Sequence, residues 1–404
     1  MKYIVLAIPF FFVLMAIELA WSAWSHRKVY RFNDFVANIG CGIGSQVVSA
    51  FMKTGIFTIY LFVYEHGRLF TLPSAPLTWL LAFLLVDFMY YWFHRLSHEI
   101  NFLWAAHIVH HQSEEYNLSV ALRQSWWQGL FSFWFYLPIA LIGVDPAVIV
   151  SVAAINTLYQ FWIHTKAIGR MGPFEWLLNT PSHHRVHHGT DPKYIDRNHA
   201  GTLIIWDKLF GTFQREEEEP FYGITAPLAS WDPLTANFHY WRDLLRLAKR
   251  CRTWRDKFRV FVKPPGWRPD YLGGFDGPKA KDRASYRKFD TRASGAVHGY
   301  IAVQFVLLLA VTTVFLFEQE RLDAGGQWIT AGLIGWWVMN LGVLHEARRW
   351  ALWSELGRVL FTGMAIALVL PIMPAPWNSI IAAVITVVSL AHAAFLIRRP
   401  SLAT

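Results

Sequence analysis

Nine apolar runs, on the scale of the roughly 20 residues that a helix needs to cross a bilayer, constrain this 404-residue chain more than any other feature. They extend from Tyr3 to Trp24, Ala37 to Val63, Pro76 to Trp92, Trp127 to Val144, Ala147 to Ile163, Ala296 to Phe317, Gln327 to Leu344, Val359 to Ile372 and Trp377 to Ile397. Only 16% of the residues are charged, against roughly 25% in ordinary globular proteins, which excludes a plain soluble enzyme. The first run has only Lys2 ahead of it, carries Glu18, and meets no small-residue cleavage site before His26-Arg27-Lys28. It reads as a retained helix and not as a cleaved signal. The fold class expected is therefore all-α, a multi-pass helical membrane protein of about nine spans.

With the N-terminus outside, residues 25–36, 93–126, 164–295, 345–358 and the tail after Leu396 share one side. All but four of the 37 Lys and Arg residues fall there; Lys2, Arg68 and Arg321 lie opposite, and Lys53 lies inside a run. The positive-inside rule makes the crowded side cytoplasmic, in a bacterial inner membrane or the endoplasmic reticulum. The net charge of +9 is thus an orientation signal, and with no recognition motif beside it a nucleic-acid partner is not expected. Cys41 and Cys251 make neither a disulfide framework nor a thiolate metal site. The polar region between Ile163 and Ala296 is too long to lack structure of its own. A helix-rich cytoplasmic cap is expected there, with the acidic run Glu216 to Glu219 as a solvated loop and Arg242 to Arg259 as a helix on anionic headgroups. The chain then divides into N-terminal spans (1–92), a central region (93–295) and C-terminal spans (296–404).

Seventeen histidines are unusual for this length, and most of the excess sits in three clusters. His94-Arg95-Leu96-Ser97-His98 puts two imidazoles on one helical face where the third run leaves the lipid. His107-Ile108-Val109-His110-His111 repeats at i, i+3 and i+4, and His184, His187 and His188 do the same, so three nitrogens are expected to converge from one turn in each box. One HxxHH pattern arises by chance in roughly 3% of such chains, and two copies with an HxxxH in well under about 0.1%, so coincidence is a poor explanation. Eight closely spaced imidazolium ions would repel, which disfavours a pH sensor; neutral rings binding metal avoid that. Eight or nine imidazoles exceed the four to six ligands of a single cation, implying a dinuclear site. Neither His98-Glu99-Ile100-Asn101-Phe102 nor His345-Glu346-Ala347-Arg348-Arg349 completes HExxH, and no ExxH occurs, which excludes a zinc metalloprotease and a carboxylate-bridged di-iron bundle. Ligand softness alone leaves zinc, copper and iron open.

The boxes HRLSH, HIVHH and HRVHH, in this order and with the first at the cytoplasmic end of a run, resemble those of the fatty acid hydroxylase superfamily, which includes sterol desaturases and lipid hydroxylases. The stretches Asp87 to Ser125 (DFMYYWFHRLSHEINFLWAAHIVHHQSEEYNLSVALRQS), Asn179 to Gly189 (NTPSHHRVHHG) and Gly201 to Phe213 (GTLIIWDKLFGTF), with Pro264-Pro265-Gly266-Trp267, are similar to its alkylglycerol monooxygenase branch. The likeness covers most of residues 30–275 and the last hundred only in outline. It implies two iron ions held by His94, His98, His107, His110, His111, His184, His187 and His188, with His164 of FWIHT as a ninth ligand. His183, Asp87, Asn117 and Asp207 are then candidates to orient those rings, and Glu114, Glu115 and Asp191 are also near in sequence. It further implies tetrahydrobiopterin, for which Glu99 offers a bidentate carboxylate. His199 departs from the pattern, standing where the family more often has tyrosine.

The activity so implied is O2-dependent hydroxylation of a lipid C–H bond, at the ether α-carbon of an alkylglycerol, giving a hemiacetal that collapses to an aldehyde and glycerol. Phe88, Tyr90, Tyr91, Trp92 and Trp104 are candidates for lining a lipid channel. The rival oxygenase reading is a sterol or fatty-acyl hydroxylase or desaturase fed by a protein electron donor. A metal transporter is the non-enzyme rival; it expects ligands near the bilayer midplane on several spans.

Overall fold

Long apolar segments opened by proline or by a capping side chain fold here as helices. The structure is a computed structural model that describes residues 2–291, 293–368 and 377–398. Its longer helices are α1 (Lys2–Trp24), α2 (Phe32–Gly67) and α3 (Pro76–Glu99), followed by the short α4 (Asn101–Ala105), α5 (Ile108–His111), α6 (Gln128–Ser132) and α7 (Leu137–Ile142). Next come α8 (Pro146–Trp162), α9 (Pro181–His187), α10 (Ile205–Leu209), α11 (Pro233–Arg250) and α12 (Trp254–Val262). The chain ends in α13 (Gly295–Glu318), α14 (Ala324–His345), α15 (Ala351–Leu368) and α16 (Trp377–Arg398). Pro76 opens α3, where its fixed φ suits the first turn. Asp145 caps α8 by accepting the Ala147 N–H at 2.8 Å, and Asp323 caps α14 through Gly326 at 2.7 Å. Among the described residues there is no strand, only an isolated bridge between Leu178 and Leu203.

Among the described residues, four helices are long and apolar enough to cross a membrane: Ala7–Trp24, Phe32–Gly67, Pro76–Glu99 and Gly295–Arg321. Shorter apolar helices cover Gln128–Ile142, Pro146–Trp162 and Ala382–Ala391. The run from Trp127 to Val144, expected as one span, is instead α6, a 3-10 turn over Phe133–Tyr136, and α7. Pro138 has no N–H for the helical ladder, so α7 restarts around it. The end of the run expected at Val359 to Ile372, and residues 399–404 of the tail, lie outside the described residues.

Two compact units emerge. The first comprises residues 1–31, 52–228 and 237–288, and the second 32–51, 229–236 and 289–404. In the first, Ala82 and Val86 of α3 meet Ile139 and Ala140 of α7 and Val148, Ile149 and Val152 of α8 in a buried cluster, while Phe11 of α1 stacks on Phe161 of α8 at 4.1 Å. Ala105 packs with Leu244 and Ala248 of α11, with Cys251 just after it, and with Val260 of α12 in a second cluster. In the second unit, α13 to α16 enclose a buried ion pair. Arg358 donates to Glu355 (2.9 Å) and to Gln304 (2.8 Å), Tyr300 (2.7 Å) and Asn340 (3.0 Å) donate to the same carboxylate, and the guanidinium lies 3.9 Å over Trp337. Such saturation lets two charges stay buried among apolar helices.

Candidate metal centre

The first box closes α3, the second is α5 with His107 at its N-cap, and the third is α9 with His188 as its C-cap. His164 follows directly after α8. These elements bring all nine histidines together as two buried groups: His94, His98, His107, His111 and His187 in one, and His110, His164, His184 and His188 in the other. Within each group the available ligand atoms lie within 4.8 Å of one another. The boxes therefore do not each converge on one point. Adjacent residues of a helix project about 100° apart, so His110 faces one group while His107 and His111 face the other, and His187 parts from His184 and His188 in the same way.

Ring orientation tests whether a cation fits. His94 Nδ1 donates to the His199 carbonyl (2.7 Å), His107 Nδ1 to Gln128 Oε1 (3.2 Å), His110 Nδ1 to the Arg123 carbonyl (3.1 Å), His164 Nδ1 to the Gln160 carbonyl (2.7 Å) and His187 Nδ1 to the Arg197 carbonyl (3.0 Å). Each acceptor fixes the proton on Nδ1 and leaves a lone pair on Nε2. Yet the Nε2 atoms of His94 and His107 are 3.1 Å apart, and those of His110 and His164 are 3.2 Å apart. Two lone pairs at that distance repel unless a cation lies between them. Two imidazole nitrogens bound at about 2.1 Å and subtending a right angle lie about 3.0 Å apart, so the observed spacing is that of neighbouring ligands. Nε2 of His98, His187 and His188 likewise has no partner among the described residues.

The rings are kept neutral, as ligands must be. Burial, with the neighbouring His110, pulls His107 down to about 3, and burial pulls His110 down to about 4. Burial followed by repulsion from neighbouring imidazoles holds His111, His164, His184, His187 and His188 well below the usual histidine range.

The direct partners of the rings are carbonyls and Gln128, and the candidate carboxylates act one bond further out. Asp87, fully buried, accepts from Asn156 (2.6 Å), Thr202 N (2.7 Å), Leu203 N (3.0 Å) and Trp206 Nε1 (2.9 Å). Asp207, also fully buried, accepts from the backbone of His199 (2.7 Å) and Ala200 (2.8 Å), and burial raises it to about 6. Together they pin the segment whose His199 carbonyl holds His94. Gly201 lies in that segment because a Cβ there would stand 2.9–3.0 Å from Tyr90, Asn156 and Asp87. Asp196 and Asn198 both have φ of +55°, a conformation that Asn and Asp tolerate best among side-chain-bearing residues. Asn198 is locked there by donating to the carbonyls of His183 (3.0 Å) and Gln214 (2.7 Å) and accepting the Gln214 N–H (2.8 Å).

Asn117 caps a 3-10 turn through Ser119, His183 packs on Phe213 at 5.3 Å, and Glu99 pairs with Arg95 at 2.8 Å; none joins either histidine group. Glu114 accepts from Tyr286, Glu115 from Arg31 and Lys288, and Asp191 from Phe221 N. In the acidic run only part is solvated, because Glu216 forms a two-pronged pair with the buried Arg185 at 2.7 Å. Glu18, noted only as a charge in the first run, is buried and accepts from Thr165, beside His164, from Tyr30, and from Leu118 N. A carboxylate inside an apolar run was its sequence signal; Gln128 and the carbonyl partners had none.

Of the candidate channel residues, Trp104 lies over the five-histidine group, 4.8 Å from His98 and 5.4 Å from His111, and Tyr90 lies 5.2 Å from His94. Phe88, Tyr91 and Trp92 pack on Phe210 at 6.2, 5.4 and 5.0 Å.

Residues 79–212, a segment that contains all nine histidines, match the family model described as fatty acid hydroxylase. The human alkylglycerol monooxygenase is 44% identical over 312 residues, covering 76% of this chain and 70% of that protein. The belonging is decided by such coverage. This chain belongs to the alkylglycerol monooxygenase family. The family's members from Xenopus tropicalis (39% over 350 residues, 86% of this chain and 78% of that protein) and Danio rerio (40% over 328 residues, 80% and 73%) extend the likeness. No solved structure matches the chain. Family membership makes it a membrane monooxygenase of lipids.

Proposed function

We propose that the chain is a di-iron monooxygenase that hydroxylates the ether α-carbon of alkylglycerols and so cleaves the ether. The observation that carries this reading is the pair of buried histidine groups whose Nε2 lone pairs face one another at 3.0–3.2 Å. His94, His98, His107, His111 and His187 would hold one ion, and His110, His164, His184 and His188 the other. Iron there supplies the activation of O2 and the oxidising power needed for an unactivated C–H bond.

The chain's own residues do the rest. The carbonyls of Arg123, Gln160, Arg197 and His199 hold protons on Nδ1 and fix each ring's direction, so little reorganisation is left for the reaction. Trp104 covers the five-histidine group and limits water there. The first box closes α3, a helix apolar enough to cross a membrane, so an alkyl tail reaches the site from the bilayer while its glycerol end stays at the interface. One oxygen atom of O2 would enter the C–H bond and the other leave as water, with two electrons and two protons that a tetrahydrobiopterin would supply. The Glu99 carboxylate, adjacent to His98, partly exposed and oriented by Arg95, would be the acceptor for the pterin's amino and ring N–H groups. The hydroxylated ether is a hemiacetal; its O–H proton passes to the leaving glycerol oxygen as the C–O bond breaks and the aldehyde forms. The polar region 164–295 and the histidine groups lie on the cytoplasmic side.

The test is aldehyde release from a 1-O-alkylglycerol by iron-loaded membranes under O2, with and without tetrahydrobiopterin. Pterin-dependent aldehyde is expected. Absence of turnover in preparations shown to contain iron would overturn the ether-cleaving reading and favour a sterol or acyl-lipid hydroxylase with a protein electron donor.

A further inference from the structure

A tenth histidine borders the five-histidine group without joining it. His199 is fully buried; its ring approaches the Asp196 backbone, but neither ring nitrogen makes a hydrogen bond of good geometry among the described residues. Its ring centroid lies 5.1 Å from that of His98, 5.6 Å from His187 and 5.8 Å from His94. Its nitrogens nevertheless fall outside the 4.8 Å span that groups the five. The ring is not there by accident of a loose loop: its backbone N–H is held by Asp207 and its carbonyl receives His94 Nδ1. A buried imidazole with an unmet donor is costly unless something fills the gap beside it.

Five nitrogens leave one place of an octahedral cation open. An atom filling it stands about 2.1 Å from the cation, and a nitrogen hydrogen-bonded to that atom lies about 2.8 Å further out. A ring lying against three of the five ligand rings, yet too remote to ligate with them, meets that requirement. We propose that His199 donates a hydrogen bond to a small, dioxygen-sized ligand on the open side of the five-histidine group. The inference rests on the metal-centre reading above and adds to it the residue that recognises the exogenous ligand. A tyrosine at this position would also carry a donor on an aromatic ring, so it serves as a substitution that keeps the chemistry while the residue changes.

The experiment measures azide affinity by absorbance on iron-loaded protein, together with iron content, for the wild type and for His199→Phe, His199→Gln and His199→Tyr. His199→Phe is expected to keep its iron and bind azide about tenfold more weakly or worse, while at least one of the two donor-bearing variants stays within a few-fold of wild type. Unchanged azide affinity in His199→Phe at full iron content would overturn the proposal alone. A loss of one iron per chain in His199→Phe would also overturn it, because His199 would then be a ligand. Wild-type protein that holds no iron after loading would overturn the metal-centre reading itself, and the proposal with it.

Discussion

Single side chains set what each histidine can do, and their surroundings allow sharp tests. Glu99 is about a third exposed and pairs with Arg95, a contact of a kind that contributes between zero and about 1 kcal/mol. Glu99→Gln is therefore expected to fold normally and keep its metal while its KM for tetrahydrobiopterin rises; an unchanged pterin requirement would return Glu99 to the surface. Gly201 is different in kind. Gly201→Ala drives a methyl group into Tyr90, Asn156 and Asp87 at 2.9–3.0 Å, and should cost about 1–3 kcal/mol, read as a lower thermal midpoint together with weaker metal retention. A variant as stable as wild type would show that the His199 segment need not approach Asp87 so closely. The eight box histidines, which the structure gathers into the two groups, stood out in the sequence because imidazoles recur at i, i+4 in the first box and at i, i+3 and i+4 in the other two. His164 was legible only through resemblance, since one histidine after an apolar helix is ordinarily interfacial. The acceptors of the ring N–H groups were not legible at all, because a carbonyl carries no side-chain signature.

At the scale of elements, apolar runs and capping residues foretold where helices begin. They did not foretell the 3-10 turn over Phe133–Tyr136 that joins α6 to α7 within Trp127 to Val144, next to Pro138, which has no N–H for the α-helical ladder. Nor did helical spacing reveal that the HxxHH boxes split between two groups. Same-face reasoning treats i+3 and i+4 as equivalent, whereas in a centre with two foci the 100° between neighbours sends each to a different ion. The side of the membrane on which residues 164–295 lie follows from charge bias alone and has a direct check. Both native cysteines are buried, so a cysteine placed at the exposed Lys279 reports by itself. Lys279→Cys should react with an impermeant maleimide only when the cytoplasmic face is open to the reagent; labelling of intact cells would reverse the orientation.

For the whole molecule, stability and metal loading are one problem. His107 and His110 titrate in the folded, metal-free protein at about 3 and about 4 because of burial, while in the unfolded chain they titrate near 6.5. Below pH 6.5 the unfolded state thus binds protons that the folded state refuses, and stability present above 6.5 is lost as pH falls towards 4. At pH 5 each of these two rings accounts for about 2 kcal/mol, so the metal-free thermal midpoint should drop steeply between pH 7 and 5, and the metal-loaded one should lie higher and follow the same downward trend, because its folded rings bind no proton either. A midpoint independent of pH in that interval would mean that the rings are not buried as described. The grouping of residues 32–51 with 289–404 was beyond sequence reading, because it depends on contacts between segments more than two hundred residues apart, and apolar periodicity is local. The most direct test of the central claim is metal stoichiometry. Wild-type protein should hold two iron ions per chain, the double variant His164→Ala/His184→Ala one, and His98→Ala/His187→Ala one, with oxygenase activity lost in both. Equal metal content in all three, or loss of both ions whichever group is altered while the fold persists, would contradict a centre built from two separate histidine groups.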